Sequence, residues 1–488
     1  MIGILGYGGY LPRLRLSRKA VVDANLWYAP EFAGRAKGTR SMAFWDEDSI
    51  TMAVAAARDC LGASDDRSHV KALHLATSTP PFAERLNSGI IREVLRCART
   101  CDAIDVGGSQ RAGLSALHEA LAKAHTTGMT LVMAADCRKT RPASASELNF
   151  GDGAAALLVG PGDVIAEYLG SGTVTVDIVD HFRAANQDID YTWEDRWIRD
   201  EGISKLVPEA INAALKTSGV EPSQVDHFIF PSTFAKMDMQ VAKKCGIDPG
   251  VIVGNLNDRV GDTGVAHPLL LIAHVLERAQ PGQTILVAQF ASGAQAMVFR
   301  VTEAVRSFKP RVGVSGWLAR AVEETSYTKF LSFKGQLRLE RGMRGEVDKK
   351  TALTTLYRHR ETLLGMVGGR CRITGEVHFP PTRYSYTAGA PALDTQEPYC
   401  LAERMGEVLS WSAEYLSFYR APPQYYGQID FEGGGRLLME FTDILKGEVE
   451  SGTRMEMVFR IKDIDEVRGF NRYFWKATPV RSITSQEG

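Results

Sequence analysis

Hydrophobic positions in the first three hundred residues alternate between short β-rich runs and stretches with helical spacing. Residues 2–6, 72–77, 103–106, 130–134 and 154–159 are rich in Val, Ile, Leu and Ala, mostly bounded by Gly, Pro or Asp. Such runs suit buried strands of an α/β sheet. Residues 49–60 and 112–126 read as helices between them. In the second, Leu114, Leu117, Leu121 and Ala124 recur at three or four positions and line one face. The pattern then repeats, with strands at 225–230, 251–253 and 284–290 and helices at 205–217 and 268–278. This predicts two similar α/β halves joined near 161–174. Beyond about residue 305 the texture changes. Residues 323–334 and 352–364 read as exposed helices, and 368–398 is punctuated by Gly and Pro. From 405 to 479, short alternating strands separated by turn signals predict a small β-barrel.

Composition narrows the function classes. The chain has 488 residues, 44% hydrophobic and 24% charged, the balance of a globular protein. Its 57 basic and 58 acidic residues leave a net charge of −1, so no bulk attraction to nucleic acid or anionic membrane is expected. No apolar run is long enough to span a bilayer. The opening MIGILGYGGYLPRLRL reads as a first strand and turn rather than a signal peptide. Seven cysteines without framework spacing predict reduced thiols and a cytoplasmic location.

Three groups of segments carry a family resemblance: AIDVGGSQRAGLSALHEAL (103–121), ELNFGDGAAALLVG (147–160), and DHFIFPSTF (226–234) with VGDTGVAHPLL (260–270) and QFASGAQAMVF (289–299). In this order they resemble the thiolase superfamily, nearest the ketoacyl synthase III and hydroxymethylglutaryl-CoA synthase branch. The tail, GGRCRITGEVHFPP (368–381), PPQYYGQIDFEGGGRLLMEFTD (422–443) and YFWKATP (473–479), resembles the OB-fold/zinc-ribbon proteins that accompany thiolase-like partners. The resemblance implies a duplicated, five-layer αβαβα fold with halves at 1–165 and 166–304. A helical connector and degenerate zinc ribbon (305–404) and an OB-type barrel (405–488) would follow. It also implies an acyl-CoA substrate, a homodimer, and in some relatives a separate thiolase subunit.

Family members capture the acyl group on a Cys at a helix N-terminus, where backbone N–H groups and the helix dipole favour a thiolate. Here that position falls on Gln110, beside Ser109, and an amide forms no acyl adduct. The family His falls at Pro231 or Ser232, and the family Asn at Asp262. The general-acid Glu of one branch falls at Thr79, with Glu84 five residues later. Asp262, in a partly dry cleft against the Gln110 turn, would have a raised pKa and move a proton; an N-cap role for it is equally open. Ser292 and Gly293 would present N–H groups to a thioester oxygen, and Ser232 would orient substrate. Cys137, followed by Arg138 and Lys139, is the alternative nucleophile. His227, His267 and His274 read as structural. Zinc is not expected, because Cys371 stands alone, with Thr374 in place of its pair and no Cys near 384–386. Arg358, Arg360, Arg370 and Arg372 are candidates for CoA phosphate contacts.

These residues support carbon–carbon cleavage or formation of the retro-aldol or retro-Claisen kind without covalent capture. The alternatives are a silent subunit docking a Cys-bearing thiolase, and a condensing acyltransferase of the hydroxymethylglutaryl-CoA synthase type.

Overall fold

The computed structural model describes residues 1–343, 345, 351–386 and 392–481. The first repeat of the body supplies β1 (Ile2–Tyr10), β2 (Ala72–Ala76), β3 (Asp102–Val106), β4 (Thr130–Asp136) and β5 (Gly153–Pro161). The second supplies β6 (Ala166–Thr175), β7 (His227–Ile229), β8 (Thr284–Phe290) and β9 (Gly293–Val301). They form one mixed sheet in the order β7-β8-β9-β6-β1-β5-β4-β2-β3. Outward from the middle, each half has the same plan. In the first, β1 pairs antiparallel with β5, β5 antiparallel with β4, and β4, β2 and β3 run parallel. In the second, β6, β9 and β8 repeat the antiparallel pairs, and β7 lies parallel to β8. Ile252 adds a parallel bridge to Phe228, taking the place that β3 holds in the first half.

The helices fit the expected periodicity. The helix α1 (Ser49–Leu61) starts at Asp48, whose carboxylate accepts from the Thr51 N–H in a capping box. Two central helices, α2 (Ala112–Ala122) and α3 (His267–Leu276), pack in one core with β1, β4, β5, β8 and β9. Every residue of α3 is buried, and in α2 the predicted Leu114, Leu117 and Leu121 face the same core. The α2 pattern continues to Ala124 after a break at Lys123.

Two stretches differ in detail from the reading of the sequence. Residues 166–175, read as part of the join, form β6, the first strand of the second half. Their small, polar sequence obscures a strand, and Gly172 shows why it is small: a Cβ there would lie 2.2 Å from the Ala210 carbonyl oxygen of the helix Ser204–Ser218. Residues 313–333, assigned to the connector, belong to the body. The helix Gly313–Ala319 puts Val314 into the central core, Val322–Glu324 extends a small sheet through Leu14–Ser17, and Phe330 is buried.

At the C-terminus, β10 (Gly406–Glu414), β11 (Gln424–Phe431), β12 (Arg436–Glu440), β13 (Arg454–Asp465) and β14 (Phe470–Pro479) form a sheet in the order β12-β11-β10-β13-β14. A parallel bridge between Phe441, just past β12, and Ala477 of β14 closes it into a barrel. Val367–Cys371 and Gln396–Cys400 pair antiparallel between body and barrel. The barrel is not a loose appendage, because α1 and the barrel interior share one hydrophobic core. Buried charges cross the same seam: Lys476 Nζ lies 2.8 Å from Asp46, and Arg58 makes a bidentate pair with Glu403 at 3.0 and 3.1 Å.

Candidate active site

A cavity of about 450 Å³ opens where the N-terminal ends of α2 and α3 approach the ends of β4 and β8. Its lining includes Gln110, Arg138, Ser232, Asp262, Gly264, Gln289 and Phe290, with Phe150, Phe230 and Ile203 as apolar walls. No cysteine lines it among the described residues.

Gln110 sits in the turn that starts α2. Its side-chain Nε2 donates to Ser78 Oγ at 3.1 Å, and Ser78 Oγ donates onward to Asp136 Oδ2 at 2.9 Å. The Gln110 carbonyl accepts from Gln289 Nε2 at 2.8 Å, which ties the turn to the end of β8. Ser109 helps to build that turn: its hydroxyl accepts from Arg111 N and its carbonyl from Ala112 N, and its side chain does not line the cavity.

Asp136 ends β4 and is fully buried. It accepts from Ser78 N at 2.8 Å and Val265 N at 3.0 Å. Burial pushes its carboxyl above the ordinary range, although Arg138 and these N–H groups pull the other way. Asp262 is shifted in the opposite direction. Burial alone would raise its pKa, but Arg138 Nη2 at 2.8 Å and Gly264 N at 3.0 Å hold it below the usual carboxylate value. The expectation of a raised Asp262 is therefore corrected. Asp262 does lie against the Gln110 turn, but as the counter-ion of Arg138, whose guanidinium also stacks 3.6 Å from the Phe150 ring centroid.

Gly264 explains how tightly these groups converge. At φ +64° it occupies the left-handed region. A Cβ there would lie 2.2 Å from Asp136 Oδ2, 3.0 Å from Gln110 Oε1 and 3.1 Å from Arg138 Nε.

Several other expectations meet the geometry here. Ser232 lines the cavity as expected, with its hydroxyl accepting from Phe234 N at 3.1 Å and its carbonyl held by Asn257 at 2.9 Å. Ser292, in the turn between β8 and β9, and Gly293, which opens β9, lie outside the lining; Gln289 and Phe290, just before the turn, face in. Ser78, not Thr79, meets Gln110, while the Thr79 hydroxyl accepts from Cys137 N.

Cys137 is outside the lining, and its two expected cations point elsewhere, Arg138 to Asp262 and Lys139 to Asp188. Burial and Asp152 push its thiol up to about 12, in spite of Lys334 Nζ at 3.2 Å, so it is not an activated nucleophile. His267 is buried; its Nδ1 accepts from Thr263 N at 3.0 Å, and its Nε2 lies 2.8 Å from the Asn255 carbonyl, so both nitrogens are occupied. His274 pairs with Glu277. Arg358, Arg360, Arg370 and Arg372 do not line the cavity, and Arg360 instead pairs with Glu93.

Sequence reading missed Ser78, Asp136, Arg138 and a second wall of the cavity, formed by Asp180, His181, Thr192 and Trp193. In VMAADCRKT the cysteine drew attention, although the acid before it and the arginine after it organise the site. Asp180 and His181 are adjacent in the chain, which was the available signal.

The N-terminus of α2 meets the ends of β4 and β8 where two repeated α/β halves join, the layout of a thiolase-like fold. Comparisons with known proteins point to the same fold. A family model described as 3-oxoacyl-[acyl-carrier-protein] synthase III C terminal matches residues 215–301. Hydroxymethylglutaryl-CoA synthase of Aeropyrum pernix is 28% identical over 348 residues, 69% of this chain and 94% of the relative. That of Pyrococcus furiosus is 29% identical over 325 residues, covering 64% and 90%. Among solved structures, 3-oxoacyl-(acyl carrier protein) synthase III of Pseudomonas aeruginosa covers 62% of this chain and 98% of its own, with a TM-score of 0.55 at 22% identity. An HMG-CoA synthase complexed with CoA covers 72% and 94%, with a TM-score of 0.60 at 16% identity. The α/β body has a thiolase-like fold, and its sequence is similar to proteins named hydroxymethylglutaryl-CoA synthase over most of their length.

Proposed function

We propose that the protein acts on an acyl-CoA thioester and breaks or makes a carbon–carbon bond by retro-aldol or retro-Claisen chemistry, without storing the acyl group on a cysteine. One observation carries this reading: the N-terminus of α2, where relatives place a thiolate, carries Gln110, and none of the described cavity-lining residues is a thiol. An amide donates a hydrogen bond to a thioester oxygen and stabilises charge that develops there. Asp262 serves by fixing Arg138 at the cavity wall, and Ser232 by shaping the opposite side.

Carbon–carbon cleavage of a β-hydroxyacyl-CoA needs no nucleophile. It needs a base for the hydroxyl proton and a site that stabilises the enolate. The test is to incubate the purified chain alone with short 3-hydroxyacyl-CoA esters and follow release of the carbonyl product. Turnover by the chain alone is the expected result. Turnover only after addition of a Cys-bearing thiolase would favour the silent-subunit reading.

A second reading is favoured by the comparisons: archaeal proteins named hydroxymethylglutaryl-CoA synthase align over 90% or more of their length. Under it, the chain would condense two acyl thioesters and would need a captured acyl group, which Gln110 does not provide.

The C-terminal module reads as an OB-fold, since its strands 3-2-1-4-5 close through a parallel contact between the third and fifth. The segment before it reads as a ribbon without zinc. Cys371 Sγ has Thr374 N at 3.4 Å and Thr395 Oγ1 at 3.1 Å, and one sulfur among hydroxyls does not make a structural zinc set.

A homodimer is supported by β3, an exposed sheet edge paired on one side only, to β2, with Ile104 open on it. Light scattering is expected to give twice the chain mass, falling toward the monomer in Ile104→Pro.

A further inference from the structure

The cavity contains a histidine that the thiolase resemblance does not supply. Residues 176–197 leave β6 and return as a small hairpin in which His181–Phe182 pairs with Tyr191–Thr192. Its anchors are specific. Arg183 donates to the Ser78 carbonyl and pairs with Asp190 at 2.6 Å, and Lys139 pairs with Asp188 at 2.9 Å. The hairpin is thus clamped to Ser78, the residue whose hydroxyl accepts from Gln110.

His181 and Asp180 both line the cavity. Their side chains form a dyad, with His181 Nδ1 lying 2.8 Å from Asp180 Oδ2. That bond places the Nδ1 proton toward the carboxylate and leaves Nε2 as the free nitrogen. Among the described residues Nε2 has no hydrogen-bond partner, and it is not sealed from solvent. This differs from His267, whose two nitrogens are both bound. The charged groups around the ring are Asp180 and Asp190, which favour its protonated form, and Arg138, which opposes it. Burial also opposes the charge, but the Asp180 bond prevails and the pKa is raised above the ordinary imidazole value.

The other groups at hand do not move protons well. The place of the family histidine falls on Pro231 or Ser232, neither of which has a group that titrates near neutral pH. Asp262 is held in its ion pair with Arg138. We propose that His181, oriented by Asp180, is the general base and acid of this cavity, a deepening that rests on the cleavage reading above. In that reaction His181 Nε2 takes the proton of the β-hydroxyl. The oxygen electrons form the C=O bond of the departing carbonyl compound while the Cα–Cβ bond breaks and its pair passes to Cα. Gln110 bonds the resulting enolate oxygen. The imidazolium then returns the proton to Cα, so that atoms and charge balance with no further reactant.

The test compares wild type, His181→Gln and Asp180→Asn with 3-hydroxybutyryl-CoA, following acetaldehyde and acetyl-CoA release across pH and deuterium exchange at Cα of acetyl-CoA in D₂O. Circular dichroism melting of each variant establishes that it is folded. With folded variants, kcat for His181→Gln is expected to fall by about 100-fold or more with KM little changed, and exchange to fall in parallel. Wild-type kcat/KM should rise with pH as His181 loses its proton. In Asp180→Asn that rise should move to lower pH, because the carboxylate no longer favours the imidazolium. A wild type that cleaves while folded His181→Gln cleaves equally well overturns the role of His181 and leaves the function standing. A wild type that neither cleaves nor exchanges overturns both.

Discussion

Replacing Arg138 with methionine is expected to destabilise the protein by about 3 kcal/mol, because it leaves the buried Asp136 and the partly exposed Asp262 without their cation. The side chain is 3% exposed and pairs with Asp262 at 2.8 Å. It is also the leading charged neighbour that favours the ionised form of Asp136. Methionine has similar volume and keeps contact with Phe150, so the loss reports charge rather than a cavity. Both aspartates should then bind protons more readily. The destabilisation should accordingly shrink as pH falls, since protonation neutralises the uncompensated charge. Urea unfolding at neutral and mildly acidic pH measures both effects. Arg138→Lys should recover only part of the stability, because a single ammonium does not reproduce the planar stack on Phe150.

The second large effect lies at the seam between body and barrel. Glu403 meets Arg58 at 3.0 Å, Arg311 at 2.6 Å and Arg67 at 3.4 Å. Burial acts to raise its pKa, but Arg58 and Arg311 outweigh it and hold the folded value at about 2 against an ordinary 4.5. A depressed folded pKa contributes stability above the unfolded value that is lost as pH falls toward the folded one. At about 1.4 kcal/mol per unit, the contribution is on the order of 3 kcal/mol, present above pH 4.5 and lost between 4.5 and 2. Glu403→Gln should remove it, so wild type and variant should differ at neutral pH and converge in acid. Melting curves over that interval check the slope. The carboxylate bridges α1, the start of the barrel segment and the 310–320 region. In the variant, the hydrogen bonds that Arg58 donates to the Ala402 and Met457 carbonyls should therefore be the first to open.

The body was legible in the sequence because its strands and helices have long, regular apolar patterns. The α2 stripe from Leu114 to Leu121 and the largely apolar α3 are patterns that local periodicity records. The β6 strand was hidden because Gly170, Ser171, Gly172 and Thr173 suit close helix packing rather than strand propensity. The barrel strands were visible by alternation, but its docking was not. That depends on pairs such as Asp46 with Lys476, 430 residues apart.

The site was half legible. Gln110, Asp262 and Ser232 could be placed by motif, and all three line one cavity. Their charge states could not be placed, because Arg138 comes from a different segment and reverses the expected shift of Asp262. Ser292 and Gly293 lie just past Gln289 and Phe290, the pair that faces the cavity. His181 lies outside the motifs of the resemblance, on a hairpin whose position depends on Arg183 reaching Ser78.

At the N-terminus of α2 an amide, Gln110, stands where the thiolase resemblance implies a reactive sulfur. Intact-protein mass spectrometry after incubation with acetyl-CoA tests it most directly, with Gln110→Cys as the positive comparison at the same helix end. An unchanged mass is expected for the wild type and an acyl adduct on the introduced thiol. An adduct on the wild-type protein, at Cys137 or any other native cysteine, would contradict it.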